Sequence, residues 1–337
     1  MAGEAKEKAK LKRVVGSLIL AQGNVFIKEL LRSKQKAGAK VTIGSNKAEF
    51  EKNLADAIDQ DLVTGKDIDD WLALTEGWGG QHVYLYPALA PQPPGDLFAK
   101  ASVSKYKKLL NPPQNVSFPD DLSLTAIVID SEKLLLTWHR GSSWYSRAKH
   151  KDRELEEGLD RYELRAYLEH RDRAVVRFEW RFDRAFCGLF VQLAYADPAH
   201  DLVFDEVWEI LMAIGATDAR QEPVKLVEAV RNLGAVGGSV ERGSKWTVDG
   251  GYVDLYANAD GGIAAVGPVA RTRQGIDVNE FTLADGQFEL PTRDPLPGEA
   301  KNLKLAVFGG EGRLRISSQC LKSQVYDLVD EVWKQNR

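Results

Sequence analysis

The side chains in this chain whose types and spacing could do chemistry are basic and aromatic, and they fall in three clusters. The first is SKQKAGAKVTIGSNK, where Lys34, Lys36, Lys40 and Lys47 punctuate a stretch broken by Gly38 and Gly44. The second is TWHRGSSWYSRAKHKDR, 137–153, with Arg140, Arg147, Lys149 and Lys151 beside Trp138, Trp144 and Tyr145. The third, ERGSKW, offers Arg242, Lys245 and Trp246. Ammonium and guanidinium groups neutralise phosphates, and aromatic faces stack on unpaired bases. These types therefore point to contact with a nucleic acid rather than to bond making. The competing reading of the second cluster is a solvated loop between two strands, its tryptophans turned to the core where that residue usually sits.

Catalytic signatures are missing from the sequence. There is no G-x-x-x-x-G-K-[ST] phosphate loop, and GGEG at 309–312 reads as a hairpin turn between LKLAVF and RLRIS. No H-E-x-x-H, C-x-x-C or G-x-S-x-G occurs. His82, His139, His150, His170 and His200 include no pair at helical ligand spacing. Acid pairs such as Asp69–Asp70 and Asp120–Asp121 could bind a hard cation, but such a site needs several converging oxygens and exposed acids are far commoner than metal sites. The expectation is no catalytic residue, no metal and no cofactor. An enzyme whose site is assembled from residues distant in sequence stays open as an alternative.

Two cysteines occur, Cys187 and Cys320, too few for a disulfide framework. Cys187 lies inside AFCGLFVQLAYA and reads as a buried small hydrophobe. A reducing, cytoplasmic setting fits this usage. No run of 18 apolar residues exists, so no membrane span is expected. The VVGSLILA stretch is short and continues into a helical pattern, which argues against a signal peptide.

Elements must position the clusters. Leu11, Val14, Leu18 and Ile19 mark a first amphipathic helix, and Asn24 caps a second one using Phe26, Leu30 and Leu31. Asn46 with Glu49 forms a capping-box pattern before Phe50, Leu54 and Ile58, which share one helix face. Thr64 and Asp67 repeat it before Ile68, Trp71 and Leu72; Gly77 ends that helix, and HVYLY follows as a strand. PALAPQPPGD and NPPQNVSFPDD bracket ASVSKYKKLL, a short helix candidate, and residues 88–121 read as a proline-rich linker. Beyond 122 the pattern is mostly β. SLTAIVID, KLLLTWH, RYELRAYLEH and RAVVRFEWRF are strand candidates, as is much of 238–317, where GGYVDLYANADGG suggests a hairpin. Helical patterns occupy 198–214, 222–232 and 318–335. LVFDEVWEI near 202 resembles QVYDLVDEVW near 324, either an internal duplication with halves 122–232 and 233–337 or a chance likeness of two amphipathic helices. The class expected is α+β: a helical domain over 1–87, the linker, then a larger, mainly antiparallel domain over 122–337.

Charge is uneven along the helical part. Residues 1–47 carry eleven Lys or Arg against three acids, and residues 48–76 carry nine acids against two bases. That asymmetry suits a directed surface, or pairing between neighbouring helices. The net charge of −4 argues against a protein coated in phosphate-binding surface.

Over residues 33–58, the order helix, extension, helix resembles the helix–extension–helix modules of the SAP type. Gly44, Lys47, Phe50 and Leu54 stand for the glycine, the lysine and the apolar positions four apart. One extra residue separates Gly44 from Lys47, and Phe50 replaces the usual leucine. The resemblance implies DNA binding, with Lys47 offering a phosphate contact beside a helix N-terminus. The leading expectation is thus a non-enzymatic, DNA-associated protein whose backbone contacts come from Lys34, Lys36, Lys40, Lys47, Arg140, Arg147, Lys149 and Lys151. The alternative is an adaptor or assembly subunit that binds a protein partner or a second copy without touching nucleic acid.

Overall fold

A computed structural model describes residues 2–112, 118–157, 160–277, 280–296 and 302–337. The chain divides into two compact units, 1–72 with 116–123 and 139–174, and 73–115 with 124–138 and 175–337. The class is α+β, with a helical region ahead of a large, mostly antiparallel sheet.

Unit 1 begins with α1 (Ala2–Val14), which runs into a wider turn at Val15–Ile19. Next come α2 (Asn24–Lys36), α3 (Lys47–Asp59) and the first turns of α4 (Gly65–Thr75). Two of the three expected caps are present; the third is corrected, since Asn24 is the first residue of α2 and Gly23 stands at the cap position. The Asn46 side chain accepts from the Glu49 N–H at 3.0 Å, while the Glu49 carboxylate accepts from the Ser45 N–H at 2.8 Å. The Ser45 amide, the Ser45 hydroxyl and the Asn46 side-chain amide hold the Glu49 carboxyl below its usual range. At α4 the Asp67 carboxylate accepts from the Thr64 N–H and hydroxyl, at 2.8 and 2.7 Å. Such reciprocal bonds satisfy donors that a helix N-terminus otherwise leaves bare. Ile19, Ile27, Leu31, Phe50 and Leu54 close a shared core, and a Cβ at Gly44 would stand 2.7 Å from Glu49 Cβ, so glycine is required where the extension meets α3. The opposite charges of 1–47 and 48–76 pair across the helices: Lys8 with Asp61 at 2.8 Å, Lys12 with Asp59 at 2.7 Å, Lys34 with Asp67 at 2.9 Å.

Unit 2 holds a sheet of ten strands among the described residues. They are β1 (Gln81–Pro87), β2 (Ser123–Ile129), β3 (Lys133–Arg147), β6 (Tyr167–Arg181), β7 (Phe186–Val191), β8 (Val240–Val248), β9 (Gly251–Tyr256), β10 (Thr282–Pro291), β11 (Asn302–Phe308) and β12 (Arg313–Ile316). A separate two-stranded ribbon, β4 (Arg153–Glu157) and β5 (Asp160–Leu164), belongs to unit 1, as do the outer parts of β3 and β6. The sheet order is β2-β3-β6-β7-β1-β12-β11-β10-β8-β9. The remaining helices are α5 (Pro94–Val103), α6 (Pro198–Ala213), α7 (Val227–Asn232), α8 (Gly267–Gln274) and α9 (Lys322–Gln335).

Two halves of the sheet repeat one order of elements. β2, β3, β6 and β7 are neighbours and lead to α6; β8, β10, β11 and β12 are neighbours and lead to α9, with β9 added at the edge. β7 and β12 flank β1 and both run antiparallel to it. Successive strand residues face opposite sides of a sheet. Tyr84 and Tyr86 meet Phe204 and Trp208 of α6, whereas Val83 and Leu85 share a core with Val325, Tyr326 and Val329 of α9. The two helices therefore cover opposite faces, as a two-fold rotation about an axis along β1 requires. The likeness of LVFDEVWEI to QVYDLVDEVW falls on these two equivalent helices.

Several expectations are corrected. HVYLY is a strand, but it lies at the centre of the sheet, so the helical domain does not extend to residue 87; Ala73 onward belongs to unit 2. Residues 88–121 are not a free linker. They contain α5, with Leu97 and Ala101 buried, and 113–117 lie outside the described residues. The helix there is Pro94–Val103 rather than 101–110, because proline is tolerated in a first helical turn, where the N–H has no intrahelical acceptor. The 137–153 stretch is not a loop: most of it is the outer part of β3. The hairpin near GGYVDLYANADGG turns at its start, pairing β8 with β9 through Val248 and Gly251. GGEG does turn between β11 and β12, and Gly77, with φ of 70°, follows the end of α4.

Leu97 distinguishes a packed helix from a linker. Replacing it with alanine is expected to lower unfolding free energy by about 2–5 kcal/mol, the range for a buried leucine. Urea denaturation measures this, and a loss below about 0.5 kcal/mol, the scale of an exposed site, would return the segment to linker status.

Candidate functional site

The eight basic residues singled out by sequence are disposed unevenly. Lys47 opens α3, but its ammonium donates to the carbonyl oxygens of Leu20 and Gln22, closing the end of the preceding helical turn. Burial lowers its pKa. Lys34 is held by Asp67, and Lys36 by Glu29 at 3.3 Å. Arg147 forms a two-pronged pair with Asp152, donates to the Ala166 carbonyl at 2.9 Å and lies 5.3 Å from the Tyr167 ring centre. Its hydrogen bonds and those of the Ala166 amide hold the Asp152 carboxyl below its ordinary range. Arg140 is half-buried, while Lys40, Lys149 and Lys151 are exposed. At least four of the eight therefore serve contacts inside the protein. Spacing made them visible in the sequence, but their acceptors lie on other elements.

A different feature emerges from the same region. The Phe182 N–H donates to the Glu132 carbonyl at 2.9 Å, and the Ala148 N–H to the Ala166 carbonyl at 3.0 Å. Both pairs of residue numbers share one sum, so β3 and β6 run antiparallel in a single register between them. In that register Trp144 and Leu168 lie on one face, Tyr145 and Tyr167 on the other. Past Ala148 the chain continues as β4 and β5, where Leu155 pairs with Tyr162 and Arg153 with Leu164. Leu155, Tyr162 and Leu164 therefore share a face of the ribbon. All these apolar side chains are solvent-facing: Trp144 is 51% exposed, Tyr145 65%, Tyr167 58% and Leu168 51%. Seven of the sixteen exposed large hydrophobic residues among those described fall between 144 and 168. Apolar side chains scattered singly are ordinary, but this concentration on one arm is not.

Unit 2 carries a second polar constellation that sequence reading missed, because its members come from 82 to 313. Arg313 of β12 is 6% exposed and lies opposite Tyr84 of β1. Its guanidinium sits 3.7 Å from the Phe308 ring centre and 4.1 Å from that of Tyr195. It donates to Glu311 at 2.7 Å and to His82 Nδ1 at 3.1 Å. The Tyr84 hydroxyl and His200 Nε2 are 3.1 Å apart. Burial, then the nearby Arg313 charge, pushes His82 down to about 4; burial also lowers His200 and raises Tyr84. Both imidazoles are thus neutral at pH 7, and the arginine is braced on two ring faces and two hydrogen bonds. The arrangement sets a fixed, enclosed cation close to a hydroxyl–imidazole pair, Tyr84 with His200. No group of three or more His, Cys, Asp or Glu side chains converges as a metal site among the described residues. Cys187 is buried, and burial raises its thiol pKa, as its apolar surroundings suggested. No helix among the described residues is long and apolar enough to cross a membrane.

No protein-family model matches the chain, and no curated protein matches it as a relative.

His82 links unit 2 to acid. A histidine whose folded pKa is depressed contributes stability above its unfolded value of 6.5, and that contribution is lost as pH falls towards about 4. Urea midpoints are expected to drop between pH 6.5 and 4, by at most roughly 3 kcal/mol from this group. His82→Gln should flatten the decline, and an unchanged pH slope in that variant would assign the loss to other groups.

Proposed function

We propose that the chain is a non-catalytic adaptor or assembly subunit, and that the arm formed by 139–174 is its docking element for another protein. The observation that carries this is the concentration of exposed Trp, Tyr and Leu side chains between 144 and 168 on a two-stranded extension. Aromatic residues of this kind give protein interfaces their largest energetic contributions. The ribbon's strands also offer unpaired backbone groups at their outer edges, which suit strand addition.

The DNA-associated reading is less well supported by the geometry. Its lysines at 34, 36 and 47 and Arg147 have partners inside the fold, leaving Lys40, Lys149 and Lys151 as exposed cations. The arm is also rich in acids, including Glu154, Glu156 and Glu163. Phosphate binding depends on a local excess of positive charge, which these carboxylates reduce.

A triple change of Trp144, Tyr145 and Leu168 to serine tests the proposal. Each side chain is exposed, so the fold should tolerate each within about ±0.5 kcal/mol. The wild-type chain is expected either to self-associate in sedimentation analysis or to retain a defined protein from its native extract, and the variant to lose that association. Equal association by a folded variant would remove the arm from the reading. A salt-dependent shift of duplex DNA by wild-type protein, abolished by changing Lys40, Lys149 and Lys151 to alanine, would restore the DNA reading.

A further inference from the structure

The end of the β10–β11 pair and one stripe of α9 enclose a recess of about 240 Å³. Leu290 and Leu303 stand opposite each other, one step before the last ladder pair, Pro291 with Asn302, and both are buried. On α9 the lining residues are Gln324, Asp327, Leu328 and Glu331, at i, i+3, i+4 and i+7, the spacing of one helix stripe. Val236 completes an apolar floor with Leu290, Leu303 and Leu328. The start of α9 is tied to the chain that follows β10. The Gln324 side-chain oxygen accepts from the Leu321 N–H at 2.8 Å, and its amide donates to the Asp294 carbonyl at 3.4 Å. The walls are thus parts of the core and of a capped helix, so the recess stands preformed. Preformed clefts with an apolar floor and a few polar groups are where small ligands bind.

The charged lining is net negative, Asp327 and Glu331 against Arg293. Residues four apart on a helix have Cβ atoms about 5–6 Å apart, so one cation can lie between these two carboxylates. Their present cationic partners are held loosely. Arg293 reaches Asp327 at 3.5 Å with 69% of its side chain exposed, and Lys334 reaches Glu331 at 3.6 Å with 72% exposed. Exposed pairs of this sort contribute little. Glu331 also accepts from the Gln335 side-chain amide at 2.7 Å, which steadies the carboxylate and leaves it further lone pairs. A third acceptor lines the recess: the Thr292 hydroxyl oxygen is buried and has no hydrogen-bond partner among the described residues. A buried hydroxyl left unpaired is costly, and a ligand donor that reaches it removes that cost.

We infer that this recess binds a small primary alkylammonium compound, its head at Asp327, Glu331 and the Thr292 hydroxyl and its stem on Leu290, Leu303, Leu328 and Val236. Volume sets the size. A cavity of about 150 Å³ takes one benzene ring, so this one takes about ten non-hydrogen atoms. Charge sets the head. An ammonium brings three donors and no acceptor, matching three acceptors in number, whereas a carboxylate head would meet two like charges. The site lies in unit 2 and does not depend on the arm, so either proposal stands if the other fails.

The probes are hexylammonium, hexanoate and hexanol, titrated separately at pH 7 into the full chain with isotope-labelled leucine methyl groups. The methyl signals of Leu290, Leu303 and Leu328 report occupancy. Hexylammonium is expected to shift all three at millimolar concentration or below, with hexanoate and hexanol at least about tenfold weaker, since the first meets like charge and the second forms no ion pair. Butylammonium, two methylenes shorter, should bind up to about fifteenfold more weakly, at about fourfold per fully buried methylene. Glu331→Gln should weaken hexylammonium at least about fivefold, because one of two facing charges is lost. Arg293→Ala removes a competing cation on an exposed side chain and should tighten it. The inference is overturned if hexylammonium at millimolar concentration moves none of the three leucines, or if hexanoate or hexanol binds as well. It is equally overturned if a folded Asp327→Asn, Glu331→Gln variant keeps the wild-type affinity, or if Arg293→Ala weakens the amine.

Discussion

The fold of the large unit depends on the pairing of β1 on both its edges. His82–Pro87 bonds to β7, the last strand of the first half, and Gln81–Tyr84 bonds to β12, the last strand of the second. Within the sheet, neither half is hydrogen-bonded to the other except through it. β1 precedes both halves in the chain, and its partner β12 lies more than two hundred residues away. Long-range pairing of this kind must overcome loop-closure entropy before the sheet returns any stability. Burial explains why the pairing holds: all of β1 but Pro87 is buried, its even positions under α6 and its odd positions under α9.

This central strand also divides the surface. α6 and α9 take opposite faces of the sheet, and α9 reaches Phe186 and Phe190 of β7 as well as the second half. Beside β1 stands Arg313, braced between Phe308 and Tyr195 and bonded to His82. A buried guanidinium is costly unless its donors and ring faces are matched, as they are here.

Unit 1 shows the reverse economy of charge. The helical segment looks in one dimension like a strongly basic stretch followed by a strongly acidic one. In three dimensions Lys8, Lys12 and Lys34 meet Asp61, Asp59 and Asp67. Exposed ion pairs contribute modestly to stability, on the order of 1 kcal/mol or less. Their consequence here is to remove most of the field that the opposite runs would otherwise project, leaving the arm's aromatic side chains as the more distinctive surface.

Local patterns in the sequence determined a good deal. The caps at Asn46–Glu49 and Thr64–Asp67, the α3 stripe of Phe50, Leu54 and Ile58, the glycine turn at 309–312 and the α+β class all follow from interactions within a few residues, which a linear reading can see. Spacing also revealed the likeness of the helices that became α6 and α9. Tertiary structure alone decided the rest. It placed HVYLY in the middle of a sheet, because that strand's partners lie far along the chain. It made most of 137–147 the outer part of β3, where Ser142–Ser146 are exposed on both sides and so lack the apolar–polar alternation that betrays a strand. It gave Lys47 and Arg147 their acceptors, and it assembled the Arg313 cluster from strands whose order in space is not their order in sequence. A side chain's type and neighbours in sequence fix what it can do, but its charge is used by whichever partner the fold brings within about 3 Å.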